Sequence, residues 1–132
     1  MIMLDTHVLI WWISNPEKLS EEARIHIKQE IKNKNEILIS SISIWEIYML
    51  VKKGRLKLSM DTDAWLERVE QLPFLQFVPI DNRIAAKSVN LSEPLHNDPA
   101  DRMIIATALE HGVSIVTSDK KILDYPHSLS IW

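Results

Sequence analysis

Met1-Ile2-Met3-Leu4-Asp5-Thr6-His7-Val8-Leu9-Ile10-Trp11-Trp12-Ile13 is the stretch whose reading decides the fold. Its first four residues are apolar and stop at Asp5-Thr6, too short a run for a helix, so they read as a buried strand. Residues 8–13 are apolar throughout and stop at Ser14-Asn15-Pro16, which reads as a short helix. The same alternation continues outward from there. Ser20-Glu21-Glu22 opens a helix with Ala23, Ile27 and Ile31 at helical spacing and Lys28, Lys32 and Lys34 toward its C-terminal end. Ile37-Leu38-Ile39 is a second strand, and residues 44–53 form a helix closed by Gly54. Beyond Arg55-Leu56-Lys57-Leu58, a helix over about 61–72 sets Trp65, Leu66 and Val69 on one side. A third strand falls within 74–80, a helix over 81–90 carries Ile84, Ala85 and Val89, and 94–99 is a loop. Asp98-Pro99 starts an apolar helix that stops at Gly112, 113–116 is a fourth strand, and 129–132 a fifth. Continuously apolar strands alternating with helices predict an α/β fold of three layers, α/β/α, around a central, mainly parallel sheet.

A single domain accounts for residues 1–132, since 46% hydrophobic and 25% charged residues at this length support one core without a disulfide or metal staple. The absence of cysteine excludes disulfides, thiolate nucleophiles and zinc fingers, and it agrees with the reducing cytoplasm expected for this protein. No membrane helix is expected, because the longest apolar run is the six residues from Val8 to Ile13 and a span needs about 20. The N-terminus has no basic region and carries Asp5 before its apolar stretch, so no signal peptide is expected and Met1 is expected to start the mature chain. A formal charge of -3 excludes strong duplex binding by bulk charge, yet local basic patches and bound cations keep nucleic-acid chemistry open. Gly54 and Gly112 are the only glycines, which excludes a dinucleotide-binding fingerprint and a phosphate-binding P-loop.

Ligands of an open parallel sheet sit beyond the carboxyl ends of its strands, and acids collect there. Asp5 ends the first strand, Asp119 lies past the fourth, and Glu46 is expected in the first turn of the helix after the second. Asp98 and Asp101 flank Pro99 at a helix start. Capping explains each acid singly: Ser43-x-x-Glu46 matches a capping box, and Asp98-Pro99-Ala100-Asp101 an N-cap followed by proline. It does not explain the set, because Ser, Thr or Asn would cap without stacking negative charge along one crevice. Carboxylates within about 6 Å of each other raise each other's pKa, and a divalent cation relieves the repulsion. Oxygen ligands without cysteine select a hard ion, Mg²⁺ or Mn²⁺.

Four segments, taken in order, resemble the successive motifs of PIN-domain ribonucleases, and most closely those of VapC-type toxins of type II toxin–antitoxin pairs. They are Met3-Leu4-Asp5-Thr6-His7, Ile42-Ser43-Ile44-Trp45-Glu46-Ile47, His96-Asn97-Asp98-Pro99-Ala100-Asp101-Arg102-Met103-Ile104-Ile105-Ala106-Thr107-Ala108 and Ile115-Val116-Thr117-Ser118-Asp119. The resemblance implies a metal-dependent endoribonuclease with Asp5, Glu46, Asp101 and Asp119 as its acidic site and Asp98 as an additional acid. Asp5 and Asp101 are the expected direct ligands of Mg²⁺ or Mn²⁺. Glu46 and Asp119 remain open as ligands, as holders of water or as the orienting base. Many members have Asn where this chain has His7, which either touches substrate, packs, or supports the site through its polar ring; the last is the favoured reading. Thr6, Thr117 and Ser118 are candidates for hydroxyls that hold the carboxylates, or for plain helix caps.

An exposed crevice suits single-stranded or looped RNA better than a duplex, and the resemblance points to structured RNA such as tRNA or rRNA loops. Arg102 stands beside the acids, and Lys52, Lys53, Arg55 and Lys57 form the densest basic cluster, read either as RNA contacts or as a solvated helix end. Residues 8–13 and 44–51 are apolar on more than one face, which fits either burial or interaction surfaces. The resemblance favours the surfaces, implying a homodimer and a cognate antitoxin over the crevice. Two competing readings are a silent PIN-fold protein that binds antitoxin or RNA and a phosphoacceptor receiver domain. The intact acids speak against the first, and the lack of a paired acid at Asp5 against the second.

Overall fold

Ile2, Met3 and Leu4 form the central strand of a five-stranded sheet in which every pairing is parallel. The computed structural model describes all 132 residues. The strands are β1 (Ile2–Leu4), β2 (Ile37–Ser40), β3 (Leu75–Val78), β4 (Ser114–Val116) and β5 (Ser130–Ile131). The helices are α1 (Thr6–Ser14), α2 (Glu21–Lys32), α3 (Ser41–Lys52), α4 (Thr62–Glu70), α5 (Asn82–Val89), α6 (Pro99–His111) and α7 (Lys120–Leu123), with a 3-10 turn at Pro16–Lys18. Spatial order is β3-β2-β1-β4-β5.

Strand residues alternate between two cores, as the two-residue period of a pleated strand requires. Ile2, Leu4, Ile37, Ile39 and Val116 join Val8, Leu9, Ala23, Ile27, Ile47 and Trp65 from α1 to α4. Met3, Leu38 and Ile115 join Ile84, Ile104, Ile105 and Ala108 from α5 and α6, with Ile122 from α7. Three layers follow, as expected. Each of the larger aliphatic side chains, removed from water, contributes about 1.5–3 kcal/mol.

The chain builds outward from β1 through β2 to β3, then crosses back to lay β4 on the other side of β1. Beyond the carboxyl ends of β1 and β4 the loops therefore diverge, leaving a crevice. Asp5 and the Thr117-Ser118-Asp119 turn border it.

Three local expectations change. Helix α3 starts at Ser41, three residues earlier than its apolar run indicates, because Ser40 is its N-cap and accepts the Ile42 N–H at 3.2 Å. Glu46 consequently lies in the second turn, and the capping box with Ser43 does not form. Helix α7 is a single turn that apolar periodicity cannot reveal, set by Asp119 accepting the Lys121 N–H at 2.9 Å. Gly54 and Gly112 do follow α3 and α6 with φ of +71° and +63°, the left-handed conformation that glycine adopts without strain.

Candidate active site

Asp5 is 3% exposed, and each of its carboxylate oxygens accepts one hydrogen bond. Oδ1 accepts the Thr6 N–H at 2.8 Å, capping α1, and Oδ2 accepts the Thr117 hydroxyl at 2.7 Å. Thr117 in turn accepts the Asp119 N–H at 3.0 Å, so one buried hydroxyl ties the turn after β4 to the end of β1. His7 closes the same junction. Its Nε2 accepts the Ser118 N–H at 3.1 Å and lies 2.8 Å from the Ser118 hydroxyl, which leaves the ring proton on Nδ1, 3.5 Å from Asp5 Oδ2. The ring also meets Trp11 edge-on at 4.8 Å. Thr117, Ser118 and His7 thus hold the turn around Asp5.

Glu46 comes from the second turn of α3, and Thr6 connects it to β1. The Thr6 hydroxyl lies 2.6 Å from Glu46 Oε1 and 2.8 Å from Ser43 Oγ. A hydroxyl has one proton, so Thr6 donates to the carboxylate and accepts from Ser43. Ser43 is fully buried and does not cap α3; a serine run at 40, 41 and 43 does not disclose which member starts the helix. Burial pushes the Glu46 carboxyl up to about 7, with repulsion from Asp5, Asp101 and Asp98 adding to it and the Thr6 hydrogen bond opposing it.

Helix α6 supplies two acids with different duties. Asp98 accepts the Asp101 N–H at 2.9 Å and is the N-cap, with Pro99 at the first helical position. Asp101, freed from capping, places Oδ2 2.7 Å from His96 Nε2. Burial again leads in pushing its carboxyl up, to about 6, helped by Asp5, Asp98 and Asp119 and opposed by His96. His96 was not among the expected site residues; its only sequence signal is a histidine five residues before Asp101 in the loop that feeds a capped helix. Acids distant in sequence thus lie near enough to push each other's carboxyls up, although no three acidic or histidine side chains stand together as a ready-made cation site.

The Arg102 guanidinium is engaged within the fold. It donates to the carbonyls of Ser88 at 2.9 Å and His96 at 3.0 Å, with Leu95 and Val89 each at 3.4 Å. Its donors therefore staple the end of α5 and the 91–98 loop to α6. Lys52, Lys53, Arg55 and Lys57 are exposed, and Lys52 lies about 9 Å further along α3 than Glu46 at 1.5 Å per residue. Beside the acids, Ile42, Trp45, Met49, Pro99 and Met103 line a cleft of about 490 Å³ that also touches Glu46 and Asp98. Trp45 is 55% exposed there.

An all-parallel three-layer sheet with acids from β1, α3, α6 and the β4 turn around its switch point defines a class of acidic-crevice α/β domains. The PIN-domain model matches residues 2–127, and the chain belongs to the PIN-domain family. It is 33% identical over 133 residues to Ribonuclease VapC22 of Mycobacterium tuberculosis, spanning 99% of this chain and 98% of that protein. Solved structures of toxin–antitoxin complexes share its fold. VapBC2 from Rickettsia felis, bound to a DNA fragment from its promoter, is 21% identical with a TM-score of 0.72 over 98% of this chain and 97% of that one. A toxin–antitoxin complex from Klebsiella pneumoniae is 23% identical with a TM-score of 0.63 over 96% and 93%.

Proposed function

We propose that this protein is the toxin of a toxin–antitoxin pair, an endoribonuclease that hydrolyses structured cellular RNA with Mg²⁺ or Mn²⁺. One observation carries this reading: carboxylates from four separate elements face a single crevice, and two of them are pushed up by burial and by their neighbours' charge. The likeness to a ribonuclease along the whole chain supports it. The donors fit a hard dication in kind, being all oxygen, and charge relief is what their mutual repulsion calls for.

Asp5 and Asp101 would hold the ion, which when bound lowers the pKa of a water and offsets charge on the phosphate. Thr6, Thr117 and His7 keep Asp5 in place. Glu46 and Asp119 stand at the crevice to bind or orient, and Glu46, with its carboxyl near 7, is poised to take a proton from water at neutral pH. The exposed Trp45 indole offers a flat face for an unpaired base, which favours looped over duplex RNA. For partners, the half-exposed apolar residues of α3 and the exposed end of α1 at Ile13 provide surface for a second copy and for a cognate antitoxin. No helix is long and apolar enough to cross a membrane, and we assign the protein to the cytoplasm.

Incubation of the purified protein with total RNA tests the activity. Discrete cleavage with Mg²⁺ that stops in EDTA and returns with Mn²⁺ is expected. Intact RNA under every metal condition refutes the nuclease, and cleavage that survives exhaustive chelation refutes the metal.

A further inference from the structure

We propose that His96 is a positioning residue for Asp101, fixing one carboxylate oxygen so that the other is presented to the crevice. The proposal rests on the reading of Asp101 as a dication ligand. Among the five acids, Asp101 is the one held by a side-chain imidazole alone. Asp5 has a backbone N–H and a hydroxyl, Glu46 a hydroxyl, and Asp98 and Asp119 each a backbone N–H. Asp101 has only the Nε2 contact at 2.7 Å, made where both side chains are largely covered, at 18% and 17% exposure.

The loop that carries the imidazole is itself fastened through its backbone. Arg102, the residue next to Asp101, donates to the His96 carbonyl at 3.0 Å, and the Tyr125 hydroxyl donates to the Ser92 carbonyl at 2.8 Å, fastening the loop at two points. One helix start therefore anchors both the carboxylate and the loop that carries its donor. His96 Nδ1 is buried without a partner, so the ring's polar role in this structure is spent wholly on Asp101. A carboxylate pinned through Oδ2 keeps Oδ1 as its open oxygen, whereas an unpinned one rotates and must be ordered when an ion binds. Donors of this kind are worth about 10–100-fold in metal affinity.

Two variants separate a donor from a packing role: His96→Gln retains an N–H near the Nε2 position, and His96→Phe retains the ring without it. Mn²⁺ affinity is measured on the RNA-free protein by titration calorimetry and by electron paramagnetic resonance, with thermal melts alongside. His96→Phe is expected to weaken Mn²⁺ binding at least tenfold and His96→Gln to stay within about threefold of wild type. In cleavage assays the Mn²⁺ concentration for half activation should rise in His96→Phe while kcat at saturating Mn²⁺ largely recovers. Equal Mn²⁺ affinity in wild type and His96→Phe overturns the proposal, as does equal loss in both variants, which assigns the effect to ring shape. Asp101→Asn serves as the separate control: if it binds Mn²⁺ as wild type does, the ligand reading itself has failed.

Discussion

Glu46→Gln should stabilise the metal-free protein at alkaline pH while removing its nuclease activity. The amide keeps an oxygen to accept the Thr6 hydroxyl, so the 2.6 Å hydrogen bond survives and only the charge is lost. Raising a carboxyl from 4.5 to about 7 corresponds to about 3 kcal/mol of penalty on the ionised form. Solvent screening at a half-buried position reduces this to about 1–2 kcal/mol. Because the folded-state pKa is the higher one, the folded chain binds the extra proton. The stabilising contribution is fully present below 4.5 and is lost as pH rises through 7. In EDTA, wild type and Glu46→Gln should therefore melt alike near pH 4.5 and diverge toward pH 8, where the variant melts about 3–8 °C higher. Thermal melts followed by circular dichroism across this range measure the gap. A constant difference at every pH, or a variant less stable at pH 8, refutes the account of Glu46 as a carboxylate strained by burial and neighbouring acids.

Other substitutions sort the remaining side chains. Asp5→Asn should abolish most RNA cleavage without lowering Tm, since the amide oxygen still caps α1; wild-type turnover in an RNase assay would reduce Asp5 to a cap. Asp98→Ser preserves a capping oxygen and should keep measurable cleavage, whereas Asp101→Ser should lose it without a lower Tm; paired RNase assays and melts detect a reversal. Arg102→Ala should cost about 2–4 kcal/mol of stability, which Arg102→Lys does not restore because an ammonium lacks the planar fork. The salt dependence of RNA binding by the folded Arg102→Ala protein should match wild type; a slope reduced by about 1 would instead identify a lost phosphate contact.

Sequence alone determined the alternation of strands and helices, because β1, β2 and most of β4 are buried and so read as short, mainly apolar runs between turn residues. It also placed Asp5 and Asp119 at strand ends and Asp98 as a proline-assisted cap, features fixed by neighbours in the chain. The start of α3 was not legible, since Ser40, Ser41 and Ser43 cap equally well in sequence, and only burial of Ser43 against Thr6 chooses among them. Arg102 reads as a free cation beside acids; its four carbonyl partners, 6 to 14 residues away, exist only once α5 and the 91–98 loop fold back onto α6. The joining of Thr6 to Glu46 across 40 residues, and of Thr117 to Asp5 across 112, is likewise a product of the tertiary structure. Local sequence sets which residues are acidic and which end of an element they occupy. Their mutual distances, their burial and hence their proton affinity depend on the parallel sheet order that brings β1 and β4 side by side.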